Sequence, residues 1–273
     1  MRKLTYPALV AAALLLSACG GDSGSSSETR LKKIIIDDNA DNKADQVYTL
    51  EYDSESYLSS ATMENCDDGT PKSSAICSNG EVIYTYAFSR DAAKNITGIT
   101  ITKNTGTVKT VELVYDGSNA IVSMKSDYTS NGTFNYAEYY TTNSDGDITR
   151  ADIDNDNDGI VDDYSLFTYF TAGKPYHYEL NEDYISVPAI DYAADYSYDA
   201  DSNVTDVIID EDGDGTKDEY RSYSYDENGK LAQIEIADSF GGTPAGYMYM
   251  EYEEGAEKGT YLGYILMSIG LFI

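Results

Sequence analysis

Only one histidine, His177, occurs in the 273 residues, and beyond Cys19 only two cysteines, Cys66 and Cys77, remain. That leaves little from which to build a zinc or copper centre, which needs imidazole or thiolate ligands. No glycine-rich phosphate loop, serine elbow or lone reactive cysteine is visible. His177, in KPYHYEL, reads as a strand residue rather than a base, and the acids are too many for any pair of them to identify a glycosidase. Cations are scarce as well. Eighteen Lys and Arg stand against 48 Asp and Glu, a formal net charge of −30, which repels nucleic-acid phosphates and anionic lipid and makes neither a partner. Prolines number five, and helical periodicity is nearly absent. Neither apolar run, Ala8 to Leu16 or YLGYILMSIGLFI at 261–273, is long enough for a spanning helix. The second reads as a final buried strand or docking segment, with a tail inserted into a membrane or partner as the alternative.

The N-terminus is informative. Arg2 and Lys3 precede the apolar run, which ends in Leu16-Ser17-Ala18-Cys19. This stretch resembles the bacterial lipoprotein signal, and the resemblance implies cleavage before Cys19 and lipidation there. Gly20 rather than an aspartate implies release to the outer membrane in a Gram-negative envelope. An ordinary cleaved signal peptide is the alternative. Residues 19–32 then form a lipidated cysteine and a Gly/Ser-rich tether, and 33–273 a β domain. Membrane attachment is expected through the acyl chains at Cys19. In an exported chain, Cys66 and Cys77 read as a disulfide, with metal ligation as the alternative.

Three acidic stretches align without gaps: DDNADNKAD (37–45), DNDNDGIVD (154–162) and DEDGDGTKD (210–218). Each precedes a tyrosine-bearing strand, and a degenerate copy fits at 100–116, so the starts at 37, 100, 154 and 210 are 63, 54 and 56 residues apart. Such self-similarity signals repeats. Segments such as YSYDENGKLAQIEI (223–236) show Tyr-x-Tyr alternation, a tight turn and a second alternating strand. The expected fold is all-β: an antiparallel meander of repeated hairpins, forming a curled, barrel-like or propeller-like sheet. Tyr-Asp turns would lie at one end and acidic loops at the other. YDENGKLAQI, through Tyr225, Asp226, Gly229, Leu231 and Ile234, resembles the YD repeat of bacterial surface and toxin-shell proteins, which implies curled β-sheet. The tyrosines are expected to pack across strands with their hydroxyls reaching solvent.

The two intact loops share D-x-D-x-D-G-x-x-D, which resembles the front of the EF-hand loop and thrombospondin-type acidic repeats. That resemblance, and the convergence of alternating acids, point to Ca²⁺ held by Asp154, Asp156, Asp158, Ile160 (through its carbonyl) and Asp162, and by Asp210, Asp212, Asp214, Thr216 (likewise) and Asp218. Oxygen donors suit calcium over zinc or copper. The glutamate of the twelfth EF-hand place is missing, with Ser165 and Arg221 there instead. The first loop offers a weaker set, Asp37, Asn39, Asp41 and Asp45. A merely solvated acidic loop is the alternative throughout. The expected protein is a non-enzymatic, lipid-anchored envelope or cell-surface module with calcium-stabilised β repeats, serving in adhesion, scaffolding or binding of a glycan or protein. A carbohydrate-binding module using a tyrosine-rich sheet face is the second expectation, and a hydrolase the third.

Overall fold

The computed structural model describes residues 29–66, 77, 81–171, 173–182 and 190–255. The signal peptide, Cys19 and the apolar segment 261–273 lie outside the described residues. Among the described residues sixteen strands run in chain order: β1 Thr29–Asp37, β2 Gln46–Tyr52, β3 Leu58–Asn65, β4 Glu81–Arg90, β5 Ile96–Lys103, β6 Gly106–Tyr115, β7 Ile121–Asp127 and β8 Tyr136–Thr142. They continue with β9 Ile148–Asp154, β10 Asp163–Thr171, β11 Lys174–Glu182, β12 Tyr192–Tyr198, β13 Val204–Asp210, β14 Glu219–Tyr225, β15 Leu231–Ala237 and β16 Pro244–Glu254. The first strand opens at Thr29, so residues 29–32, read above as tether, belong to the barrel. Each strand pairs antiparallel with its sequence neighbours, and β1 pairs with β16, placing Ile34 opposite Met250. The meander is therefore a closed barrel, which leaves no sheet edge unpaired.

Alternation decides which side chains enter the barrel. On β14, Glu219, Arg221, Tyr223 and Tyr225 point inward, whereas Ser222 and Ser224 are exposed. The inward set is mostly aliphatic and aromatic. Tyr48, Tyr178, Ile34, Leu50 and Leu58 are each less than 2% exposed, so the barrel is filled at their levels. Fully burying such a side chain contributes about 1.5–3 kcal/mol. Two apolar clusters fill the interior, one around Ile34, Leu50 and Tyr86, the other around Phe167, Tyr178 and Ile209. Ile121 and Tyr223 pack against both.

Part of the outward face is a polar belt. Register places Glu251, Lys33, Thr49, Thr62, Thr85 and Thr102 in one belt across β16 and β1 to β5. A transmembrane barrel needs an apolar belt outside and polar groups inside. At this belt the barrel has polar groups outside and apolar side chains inside.

A tyrosine link recurs at one rim. The hydroxyls of Tyr52, Tyr115, Tyr169, Tyr198, Tyr225 and Tyr252 donate to the carbonyls of Leu31, Ile96, Ile148, Pro175, Val204 and Leu231 at 2.7–3.0 Å. Each of these rings also stands opposite a residue of the following strand, as Tyr52 does Leu58, so it ties three strands together. Tyr252, opposite Leu31, makes the same link across the closure of the barrel. On β4 the place is taken by Arg90, whose guanidinium donates to the Leu58 carbonyl at 2.7 Å. These hydroxyls were expected to reach solvent; a backbone carbonyl at the rim captures them instead, at a net gain of about 1 kcal/mol each.

The adjoining turns are organised by their acids. Asp53, Asp116, Asp199 and Asp226 each accept, through Oδ1, the N–H groups of the residues two and four places on. Asn143 does the same with its amide oxygen. The repeat is a single hairpin: 27 residues separate Leu31 from Leu58, Ile121 from Ile148, Ile148 from Pro175 and Val204 from Leu231. The longer spacings seen in the sequence span two hairpins. Between β3 and β4 the rhythm is broken by an insertion, which the Cys66–Cys77 disulfide closes.

Candidate metal sites at the acidic rim

Four loops at the opposite rim share one nine-residue backbone. In each, the fourth and sixth residues take left-handed conformations: Ala40 and Asn42, Ser130 and Gly132, Asn157 and Gly159, Gly213 and Gly215. The first residue, the last of its strand, is a buried aspartate, namely Asp37, Asp127, Asp154 or Asp210. Its Oδ2 accepts the N–H of that sixth residue at 2.7–2.9 Å. The ninth residue reaches back to the second: Asp45, Asp162 and Asp218 accept the N–H groups of Asp38, Asn155 and Glu211, and the Asn135 amide oxygen accepts that of Tyr128.

The loop after β7, DYTSNGTFN (127–135), was not recognised from sequence. It carries Thr129, Asn131 and Asn135 where its neighbours carry acids, so a search for clustered charge passes over it. The available signal was spacing, because Asp127 lies 27 residues before Asp154. This copy shows that one aspartate and the neutral acceptors Asn131 and Asn135, by taking backbone N–H groups, support the loop geometry without the other acids.

Charge converges in two of the four loops. Carboxylate oxygens of Asp154, Asp156 and Asp162 lie within 4.8 Å of one another, and so do those of Asp210, Asp212 and Asp218. Either trio can hold a metal ion, since in each a buried first acid meets two more accessible ones around a common point. Asp158 and Asp214, expected as ligands, stand outside these trios. Each instead accepts, through Oδ1, the N–H of the residue two places on, Ile160 or Thr216. These short turns draw the fifth-position acids away from the centre, and they are how Ile160 and Thr216 are held. In the first loop Asp37, Asn39, Asp41 and Asp45 form no such trio. Asp37 caps Asp41 and Asn42, Asn39 accepts from Asp41 N–H, and Asp41 pairs with Lys43 at 3.1 Å, so an internal cation supplies the positive charge.

Other titratable groups set the pH response. His177 lies on the outer face between Asp195 (2.6 Å) and Glu179 (2.8 Å), with Lys217 on the far oxygen of Asp195. Partial burial opposes its protonation, but the hydrogen bonds to Glu179 and Asp195 outweigh it and raise its pKa above the usual 6.5. Glu138 is buried beneath the hydroxyls of Tyr136 and Tyr140 (2.5 and 2.7 Å), and burial raises its pKa. Burial, and then Asp38, push Asp45 up to about 6. A raised pKa means that the folded state holds its proton more tightly than the unfolded chain. The stability it contributes is complete below the unfolded pKa and is lost as pH rises through the folded one. For Asp45 that window runs from 3.8 to about 6; for His177 it begins at 6.5. Calorimetry in chelator is expected to show a higher Tm at pH 5 than at pH 8, and a Tm that climbs towards pH 8 would contradict the assignment. Below the ordinary value of 3.8 the trend reverses, because Asp195, which burial raises but His177 and Lys217 lower on balance, keeps its charge in the fold while the unfolded chain takes up the proton.

No family model matches the chain, and no curated protein matches it. Among solved structures, it is similar to a porin-like protein from Bacteroides uniformis, with a TM-score of 0.51, 11% identity, and coverage of 82% of this chain and 98% of that one. A porin-like protein from Bacteroides vulgatus aligns with a TM-score of 0.35 and 10% identity over 83% of this chain and 99% of that one. TcdB2-TccC3-TEV aligns at 0.34 and 14% identity over 76% of this chain but only 12% of its own length. The first likeness shows a shared fold.

Proposed function

We propose that this chain is a non-enzymatic, lipid-anchored envelope protein whose closed barrel serves as a calcium-stabilised scaffold or binding module on a Gly/Ser-rich tether. The observation that carries the calcium reading is the convergence of three carboxylates in each of two rim loops, beside a nearly neutral loop of the same backbone. The acids at the third, fifth and ninth places are therefore not needed to shape the loop, and carboxylates about 4 Å apart repel by about 1 kcal/mol in water and about 4 near a protein surface. A hard divalent cation removes that repulsion, and oxygen-only donors suit calcium. The anchor reading rests on Leu16-Ser17-Ala18-Cys19 and on the polar outer belt, which suits a barrel held beside a membrane rather than within one. The filled interior speaks against a pore. Tyr48, Tyr86, Tyr178, Tyr192 and Tyr196 are buried inside the barrel, which removes much of the tyrosine face that a glycan-binding module would use.

Calorimetry tests the reading. With a Kd of about 10⁻⁴–10⁻³ M, as in extracellular calcium modules, 10 mM calcium adds about 1.4–2.7 kcal/mol per occupied site, or roughly 3–10 °C for a domain of this size. Magnesium is expected to do little, and an Asp156→Ala/Asp212→Ala double variant is expected to lose the shift. No shift, or an equal one with magnesium, would overturn the calcium reading.

A further inference from the structure

The two acidic loops differ at one atom. In the loop after β9, Asp154 is 1% exposed and both its oxygens are satisfied: Oδ1 accepts Asp158 N–H at 3.0 Å and Oδ2 accepts Gly159 N–H at 2.8 Å. In the loop after β13, Asp210 is 4% exposed and Oδ2 accepts Gly215 N–H at 2.8 Å. Its Oδ1, however, is buried and meets no hydrogen-bond donor. The corresponding N–H, that of Asp158, is shared between Asp154 and Asp156 Oδ1, whereas that of Asp214 goes to Asp212 Oδ1 at 3.3 Å and not to Asp210. A buried carboxylate oxygen without a donor is costly, and such oxygens in native proteins have a partner in the great majority of cases. Asp210 belongs to the trio whose oxygens lie within 4.8 Å, so a cation received there supplies what the backbone withholds.

The neighbouring chain adds a second asymmetry. The Ile190 carbonyl lies so close to Gly213 that a Cβ there would sit 1.5 Å from its oxygen, which places the backbone of Ile190 and Asp191 directly against this loop. At the matching place of the other loop stands Asn157, whose side-chain amide donates to the Phe134 carbonyl at 2.9 Å. The β9–β10 loop is thus closed by its own hydrogen bonds, whereas the β13–β14 loop is packed but short of one donor.

We infer that the two sites are unequal: the loop of Asp210, Asp212 and Asp218 is the tighter calcium site, and the loop of Asp154, Asp156 and Asp162 binds calcium weakly or only after it. The inference rests on the calcium reading above. Asp212→Asn and Asp156→Asn test it, since both positions are exposed and an asparagine keeps the acceptor oxygen. Titration calorimetry of the intact protein with calcium chloride is expected to show one tighter event. Asp212→Asn weakens that event at least tenfold, Asp156→Asn leaves it within twofold, and unchanged melting of both variants in chelator shows that both fold. Loss of the tighter event in Asp156→Asn, or two events of equal affinity in the parent protein, would overturn the inference while leaving the calcium reading intact. No calcium binding by the parent protein would overturn both.

Discussion

Replacing Arg221 with methionine is expected to destabilise the barrel by about 3–5 kcal/mol, the usual cost of stripping one partner from a buried ion pair. Arg221 and Glu219 both point inward from β14, and their side chains are 7% and 12% exposed, with Nε 2.5 Å from Oε1. Without the guanidinium, Glu219 is left near Tyr192 and Tyr223 with little water to solvate its charge. In a domain of this size the loss corresponds to roughly 6–20 °C in Tm. The companion variant Arg221→Met/Glu219→Leu is expected to recover much of it, because replacing a whole buried pair by apolar side chains is often neutral. Thermal unfolding in chelator separates the outcomes, and a single variant within 1 °C of the parent would show that the pair is solvated.

Gly213→Ala is the second large effect. Left-handed backbone costs a residue with a side chain about 1–2 kcal/mol, and φ is +66° here. The new methyl would also lie 1.5 Å from the Ile190 oxygen and 2.4 Å from its carbonyl carbon. Both are backbone atoms and cannot swing aside, so the backbone at Ile190 must move, adding about 1–3 kcal/mol. Gly159→Ala and Gly215→Ala are the controls, since both have positive φ and nothing lies within 4 Å of the added atom. Denaturant unfolding is expected to rank Gly213→Ala as the most destabilising of the three. Three equal losses would mean that the approach of Ile190 to this loop is not maintained in solution.

Much of this barrel is legible in its sequence because its local rules are strict. Alternation along segments such as EYRSYSY and LAQIEIA gives antiparallel strands, and the Tyr-Asp and acidic segments fall at opposite ends of the hairpins as their turn chemistry dictates. Closure is not legible. It depends on Lys33 meeting Glu251 and Ile34 meeting Met250, contacts more than two hundred residues apart that no local pattern encodes. The hairpin repeat was seen at double length because Arg90 replaces one rim tyrosine and neutral side chains replace the acids of 127–135. The loops themselves were read correctly as places where acids gather. The fifth acid of each lies outside its trio because an aspartate two residues before a backbone N–H caps its own turn. Which loop leaves a buried oxygen without a donor depends on differences of a few tenths of an ångström, beyond the reach of any sequence pattern.

The most direct test of the account is a crystal structure grown in millimolar calcium, with anomalous difference maps around the acidic rim. The account predicts a peak about 2.3–2.6 Å from carboxylate oxygens of Asp210, Asp212 and Asp218, with a weaker one or none at Asp154, Asp156 and Asp162. Well-ordered loops with no peak at either trio, and Asp210 Oδ1 satisfied by an ordinary water, would contradict it.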